Sequence, residues 1–218
     1  MINDELNMTP TEIRNERLAQ RVMKNLERRH YVSYYCKTSA DVINKVRELI
    51  PEGSSVTWGG SMSIRDTGVT RMLKEGNYQV FDRDDVTTAE DKVRMYRKAF
   101  ECDYYLASVN AMSEDGILVN IDGNGNRVAA ITWGPEHVIL VVSLNKVCQD
   151  VDAAVKRARS TAAPVNMARF TNHTPCQTDG TCHNCLSTES ICNYISIQRM
   201  SHPAGRHIVI LTDEAVGY

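Results

Sequence analysis

The sequence predicts an α/β protein in which a largely parallel sheet is covered by helices on both faces. Strand-like and helix-like segments alternate over residues 9–100, which favours parallel strands joined by crossover helices. The apolar run from Val138 to Ser143 is continuous, as expected of a strand buried on both faces. Capping residues and glycines mark where the helices begin and end.

The N-terminal half provides the alternating elements. Thr9-Pro10-Thr11-Glu12 has the form of a capping box with proline at the first helical position, so it predicts the first helix. Ser39 and Thr88 are expected to cap two later helices. Strands are predicted over residues 31–36, 55–58 and 78–81 because these segments are short and rich in β-branched and aromatic residues.

The second half of the sequence contains more predicted strands than predicted helices. Residues 104–109, 117–121 and 127–132 are strand candidates with no helix between them, and Gly123-Asn-Gly125-Asn126 predicts a hairpin turn. Asp150 is expected to cap a helix, and residues 207–212 to form the last strand. We expect one domain over residues 1–218, with a helix and strand in 1–37 and a cysteine-rich loop, 170–198, inserted before the final strand.

Composition limits the classes of function. The 218 residues are 42% hydrophobic and 24% charged, with a formal net charge of −2, which gives no reason to expect a nucleic-acid partner. The polar, acidic start does not have the pattern of a signal peptide, and no apolar run approaches the length of a membrane span. We therefore expect a cytoplasmic protein, not bound to membranes, whose thiols stay reduced.

Four of the seven cysteines lie in one short, polar segment and predict a metal site. Cys176, Cys182, Cys185 and Cys192 are separated by five, two and six residues. The two residues between Cys182 and Cys185 let the chain turn so that both sulfurs enter one coordination sphere. Four thiolates suit either a [4Fe–4S] cluster or a structural zinc, and the spacing does not separate the two. Disulfides are the third alternative.

A second candidate site follows the strand predicted over residues 55–58. That strand runs into Gly59, Gly60 and Ser61, with helical signals after them. Such a turn offers backbone N–H groups to an anion. The alternative is a tight β–α turn that binds no ligand.

Two further groups of polar residues are candidates for binding or catalysis. Asp122, Asn124 and Arg127 lie in a turn where the guanidinium could bind a carboxylate or phosphate through two parallel hydrogen bonds. A hairpin that needs positive φ explains the same residues. Glu136 and His137 are candidate acid and base, since histidine titrates near neutral pH. Neighbours on a strand face opposite ways, so at most one of these two faces a given site.

Several stretches, taken together and in order, resemble the LUD (lactate utilisation) domain family. The resemblance runs from about the second helix to the C-terminus, and the succession of motifs is more specific than any one of them. Its motifs are Gly59-Gly-Ser61, the segment 120–128, the segment 134–140, Asn145-Lys146, Ala163-Pro-Val-Asn166, and Thr174-Pro-Cys176 with the cysteines that follow.

The resemblance implies a fold similar to the ribose-5-phosphate isomerase and CoA-transferase group, with a crevice at the strand ends. Members of the family are tied to oxidation of lactate to pyruvate alongside iron–sulfur partner proteins. Forms with a C-terminal cysteine set resemble cluster carriers. The resemblance therefore favours a [4Fe–4S] cluster over zinc at Cys176, Cys182, Cys185 and Cys192.

These implications predict an iron–sulfur protein that acts in electron transfer, or as an accessory subunit, during oxidation of lactate or a similar 2-hydroxy acid. Its expected partners are iron–sulfur redox proteins and a small anionic substrate, and oligomerisation is left open. Two alternatives come from other classes. One is an isomerase-like or transferase-like enzyme that uses the Gly59 turn, with the cysteine site purely structural. The other is a zinc-stabilised binding module.

Overall fold

The structure, a computed structural model, describes residues 8–218. The helices among these residues are α1 Pro10–Arg28, α2 Ser39–Leu49, α3 Met62–Asp66, α4 Val69–Glu75, α5 Ala89–Lys98, α6 Asn126–Thr132, α7 Val151–Arg157, α8 Ala163–Met167 and α9 Pro175–Asp179. The strands are β1 Val32–Cys36, β2 Ser55–Trp58, β3 Gln79–Phe81, β4 Tyr104–Ala107, β5 Ala111–Ser113, β6 Leu118–Asp122, β7 His137–Ser143, β8 Val147–Cys148, β9 Tyr194–Gln198 and β10 His207–Thr212.

The larger sheet confirms the predicted fold class. Six strands pair in the order β1-β10-β7-β4-β2-β3, and every pairing is parallel. Side chains of β7 alternate between two hydrophobic cores because a strand has a period of two. Val138, Leu140 and Val142 pack with α1 and α6 on one face. Ile139 and Val141 pack with α2, α3 and α4 on the other.

A second, four-stranded sheet was not foreseen as a separate layer. Its order is β8-β5-β6-β9, and β6 pairs antiparallel with both β5 and β9. Met112 and Leu118 join the core that also contains α1, whereas Ala154 and Ala158 cover the other side of this sheet. Within residues 8–218, no helix is both long and apolar enough to cross a membrane.

The strand predicted over residues 127–132 is wrong, since these residues form helix α6. Gly125 adopts φ +78°, but it precedes a helix rather than closing a hairpin. The carboxylate of Asp122 accepts hydrogen bonds from the backbone N–H groups of Asn124, Gly125 and Val128. Asp122 thus satisfies amides at the start of α6, a local interaction that favours the helix over an extended strand.

Two boundaries also differ from the prediction. Helix α2 is capped by Thr38 and not by Ser39, because Thr38 and Asp41 form a reciprocal capping box. The predicted cysteine loop, 170–198, contains the strand β9, whose pairing with β6 depends on residues distant in sequence. The caps expected at Thr9, Thr88 and Asp150 are confirmed.

Candidate functional site

The carboxyl ends of β2, β4 and β7 border a cavity of about 710 Å³, which we call the crevice. This is where ligands bind in open parallel sheets, and the volume lies within the range of small-molecule sites. The segments that line it are residues 60–63, 65, 83–84, 92, 96, 108–110, 121–124, 126–127, 146, 166, 169–170, 172, 188–191, 193 and 217–218.

The crevice carries an excess of positive charge. Its basic side chains are Arg65, Arg83, Lys92, Arg127, Lys146 and Arg169, and its acidic ones are Asp84, Asp122 and Glu189. Asp84 forms ion pairs with Arg65 and Arg83, so its charge is locally compensated. A crevice with surplus positive charge attracts anions.

Five of the six residues predicted to bind an anion line this crevice. Gly60, Ser61, Asp122, Asn124 and Arg127 come together there from two loops that are far apart in sequence. Ser61 has a buried hydroxyl oxygen with no hydrogen-bond partner among residues 8–218, so this hydroxyl can serve a ligand.

Gly59, the sixth predicted residue, lies behind the crevice wall. A Cβ atom at Gly59 would lie 2.8 Å from the hydroxyl of Tyr105 and 3.4 Å from Cδ of Arg127. The absence of a side chain at Gly59 is therefore explained by close packing.

Arg127 does not offer the two parallel hydrogen bonds that we predicted. One terminal nitrogen donates to the side chain of Asn120 at 2.5 Å and to the backbone oxygen of Ser108 at 3.2 Å. The other donates to Asn110 Oδ1 at 2.9 Å and to the oxygen of Ile121 at 2.6 Å. Both terminal nitrogens already donate hydrogen bonds to neutral oxygens. Arg127 therefore contributes positive charge but has no terminal N–H group left to bind a ligand.

Arg157 adds a second guanidinium behind the same wall. It donates to the backbone oxygens of Asn110 at 2.6 Å and of Asn145 at 3.1 Å. Asn110 thus bonds to Arg157 through its backbone and to Arg127 through its side chain. Burial lowers the pKa of both arginines. The two cations lie near the crevice with neutral partners, which strengthens its preference for anions.

Lys146 is the functional candidate for which the sequence indicated no role. It follows β7 in a short 3₁₀ turn and is only 2% exposed. Its Nζ donates to the hydroxyls of Ser63 at 2.7 Å and Ser108 at 3.1 Å. Within residues 8–218, no carboxylate forms an ion pair with it. A lysine three residues after a largely apolar strand was the available sequence signal, because the end of such a strand is buried.

The surroundings of Lys146 favour its neutral form. Burial lowers the pKa of Lys146 to about 7, and the positive charges of Arg157 and Arg127 act in the same direction. Asp66 opposes them weakly. Close to neutral pH, a substantial fraction of Lys146 is therefore an uncharged amine in the crevice wall.

Glu136 and His137, the predicted acid and base, lie outside the crevice. His137 begins β7, whereas the crevice borders the other end of that strand, roughly 20 Å away at about 3.3 Å per residue. The ring of His137 stacks on Tyr104 with centroids 4.9 Å apart, and Glu136 is exposed. The structure therefore gives neither residue a role at the crevice, since the two ends of a parallel strand face opposite edges of the sheet.

The cysteine segment lies beside the crevice, which its residues 188–191 and 193 help to line. All seven cysteines are free thiols. Burial of the thiol raises the pKa of Cys192, and negative charge on Cys176, Cys182 and Cys185 adds to this effect, although the residue as a whole is exposed. Cys192 therefore lies within electrostatic reach of each of the other three predicted ligands.

The neighbouring acidic residues of the segment are paired. Asp179 contacts His183 at 2.7 Å, and Glu189 contacts the ring of His173 at 3.4 Å. In the described part of the chain, no three His, Cys, Asp or Glu side chains have the arrangement of a metal site. The donor chemistry of the four thiols fits a thiolate-bound metal or cluster, and the electrostatic contact of Cys192 with the other three thiols is the structural observation that agrees with it.

The fold and crevice define an α/β protein with an anion-attracting site at the carboxyl edge of a parallel sheet. The sequence matches the LUD domain over residues 19–212, so the chain belongs to the LUD domain family. This confirms the resemblance found in its motifs. No curated protein matches the sequence significantly.

Two solved structures are similar to the chain. A DUF162 family protein from Deinococcus radiodurans has a TM-score of 0.54 at 9% identity, covering 91% of this chain and 97% of that one. It supports the fold alone. The eIF2B delta protein from Chaetomium thermophilum has a TM-score of 0.36 at 14% identity, covering 56% of this chain and 54% of that one.

Proposed function

We propose that this LUD-domain protein carries an iron–sulfur cluster and acts in electron transfer, or as an accessory subunit, during oxidation of lactate or a similar 2-hydroxy acid. One observation carries the proposal. The segment that holds Cys176, Cys182, Cys185 and Cys192 also contributes residues 188–191 and 193 to the wall of a positively charged crevice. A small organic acid in the crevice would therefore lie next to the cysteine segment.

The four cysteines would hold a [4Fe–4S] cluster, with zinc as the alternative metal. A bound cluster supplies one-electron transfer. The chain itself supplies thiolates on an exposed segment, where a redox partner protein can approach. Cys182 and Cys192 are exposed, and Leu186 between them is 99% exposed.

The crevice would bind the organic acid mainly by charge. The guanidinium groups of Arg127 and Arg157 are hydrogen-bonded to neutral oxygens, which do not cancel their charge. This charge therefore remains available to attract an anion. The free hydroxyl of Ser61 is a hydrogen-bond donor for the carboxylate or the 2-hydroxyl group. These residues orient the acid but do not oxidise it.

Anaerobic purification followed by optical spectroscopy and analysis of iron, sulfide and zinc tests the cluster. We expect about four irons per chain and a visible absorption band that bleaches on reduction. Cys182→Ser should lose the band and the iron. Cys148→Ser is the matched control, because Cys148 is partly buried outside the segment and packs near α7. Stoichiometric zinc without a visible band would refute the cluster.

A second candidate function is an isomerase-like or transferase-like enzyme in which the cysteine site is only structural. The observation that favours it is Lys146, a buried amine in the crevice that has no carboxylate partner among residues 8–218. If the cysteines are a structural clip, Cys182→Ser should unfold the chain rather than only remove a chromophore. Circular dichroism of Cys182→Ser distinguishes the two candidates.

A further inference from the structure

Lys146 has the geometry of a nucleophilic amine. In its uncharged form the nitrogen carries two hydrogens and one lone pair. The hydroxyls of Ser63 and Ser108 accept those two hydrogens at 2.7 and 3.1 Å. Because the nitrogen is tetrahedral, the lone pair must point away from both serines.

The serines themselves are held in place. Ser63 is 1% exposed and donates its own hydrogen to the backbone oxygen of Val216 at 3.3 Å. Ser108 is 6% exposed. Fixed acceptors restrict the rotation of a long lysine side chain, which lowers the entropy lost when the amine reacts.

The environment of Lys146 suits covalent chemistry better than a structural role. A structural buried lysine is normally paired with a carboxylate, and Lys146 has no such ion pair in the described residues. Instead Arg127 and Arg157 lie near it and disfavour its charged form. An uncharged amine in a water-poor wall is the reactive form for addition to a carbonyl carbon.

The charge of the crevice selects the carbonyl compound. Apart from Lys146 itself, five basic and three acidic side chains line it, so an anion is favoured over a neutral ketone. A carboxylate next to the carbonyl group also offsets the positive charge of the iminium ion that the reaction creates. These two requirements together describe a short 2-oxo carboxylate.

We propose that Nζ of Lys146 forms a reversible imine with a short 2-oxo carboxylate bound in the crevice. The nitrogen lone pair forms the new C–N bond while the C=O π bond opens to a carbinolamine. The carbonyl oxygen then leaves as water with the two hydrogens of the amine, and a proton from solvent gives the iminium. No electrons are gained or lost overall. This inference rests on the proposed binding of a 2-hydroxy or 2-oxo acid.

Reductive trapping tests the imine on the full chain. The protein is incubated with pyruvate and sodium cyanoborohydride, which reduces an iminium to a stable secondary amine. Intact-mass and peptide mass spectrometry then locate the adduct. We expect one adduct per chain, on the peptide that contains Lys146, and a labelling rate that rises with pH through about 7. Acetone, a neutral ketone, should label this lysine much more slowly.

Two variants keep the experiment decisive. Lys146→Met should lose the adduct, and thermal unfolding shows whether it is folded. Lys156→Met is the matched control, because Lys156 is an exposed lysine on α7 that does not line the crevice. It should be labelled at Lys146 like the native chain. Equal labelling of many surface lysines, with no preference for Lys146, would overturn the inference.

Calorimetric titration with pyruvate separates this inference from the proposed function. If Lys146→Met and the native chain both bind pyruvate but neither is trapped, the imine is refuted and the proposed acid binding stands. If the native chain neither binds nor is trapped, acid binding is refuted together with the imine. Binding and trapping that both depend on Lys146 support the inference.

Discussion

Replacing Lys146 by Met should change how the stability of the protein depends on pH. The pKa of Lys146 is lowered from its ordinary value of 10.5 to about 7 in the folded protein. Between these two values the unfolded chain binds a proton that the folded chain does not. Stability must therefore rise with pH across this window, and the destabilisation is complete below about pH 7.

The magnitude follows from the two pKa values. Each pH unit of difference corresponds to about 1.4 kcal/mol, so burial and the two neighbouring arginines together cost about 5 kcal/mol at low pH. About 4 kcal/mol of this remains at pH 7 and about 2 kcal/mol at pH 9. The native chain should thus gain about 2 kcal/mol between pH 7 and pH 9 from this group, and Lys146→Met should not.

The variant should also be more stable than the native chain at pH 7. Methionine fills a similar volume without a charge, but the hydrogen bonds to Ser63 and Ser108 are lost. At about 1 kcal/mol for each bond, roughly 2 kcal/mol of net stabilisation remains. At pH 9 the difference between the two proteins should nearly vanish.

Urea unfolding at pH 7, 8 and 9 measures these differences, with reductant present to keep the thiols free. Trp58 is 3% exposed and reports the unfolding of the sheet by its fluorescence. Other ionisable groups are common to both proteins and cancel in the comparison. Lys156→Met, at an exposed position of α7 outside the crevice, should keep the native pH dependence. If the free energy of unfolding depends on pH in the same way for the native chain and Lys146→Met, Lys146 is not neutral in the folded protein. The crevice would then hold no reactive amine at this position.

Three further predictions concern the scaffold of the site. Gly59→Ala should destabilise the fold by about 1–3 kcal/mol, because its Cβ would lie 2.8 Å from the hydroxyl of Tyr105. Urea unfolding measures this loss, and adding Tyr105→Phe should recover part of the lost stability. Asp122→Ala should cost about 1–2 kcal/mol through lost bonds to backbone N–H groups at the start of α6, and an unchanged unfolding midpoint would contradict a stabilising role for these bonds. Burial lowers the pKa of His207 to about 4, so the free energy of unfolding should fall as pH decreases from 6.5 to 4. His207→Gln should weaken this pH dependence, and an acid transition identical to that of the native chain would contradict the prediction.

Local patterns explain why much of the fold was predictable. The caps at Thr9, Thr88 and Asp150 depend on residues within one turn, so the sequence alone reveals them. The apolar run of β7 reflects burial on both faces, and every residue of the strand after His137 is buried. Local patterns also explain the error at α6, where a strand was predicted in place of a helix. Asn-Gly pairs suit both a hairpin turn and a turn that leads into a helix, so the local sequence did not distinguish the two.

The sequence by itself determined that this chain is an α/β protein of the LUD family, which cysteines form a candidate metal-binding set, and which loops were candidates for an anion site. Only the tertiary structure decided that residues 60–61 share a crevice with 122–127 and with the cysteine segment. Only the tertiary structure showed that both terminal nitrogens of Arg127 are hydrogen-bonded and that His137 lies outside the crevice. It also showed that Lys146 is buried beside Ser63 and Ser108. The physical reason is that charge, burial and free hydrogen-bond capacity at a site depend on neighbours brought together from distant parts of the chain.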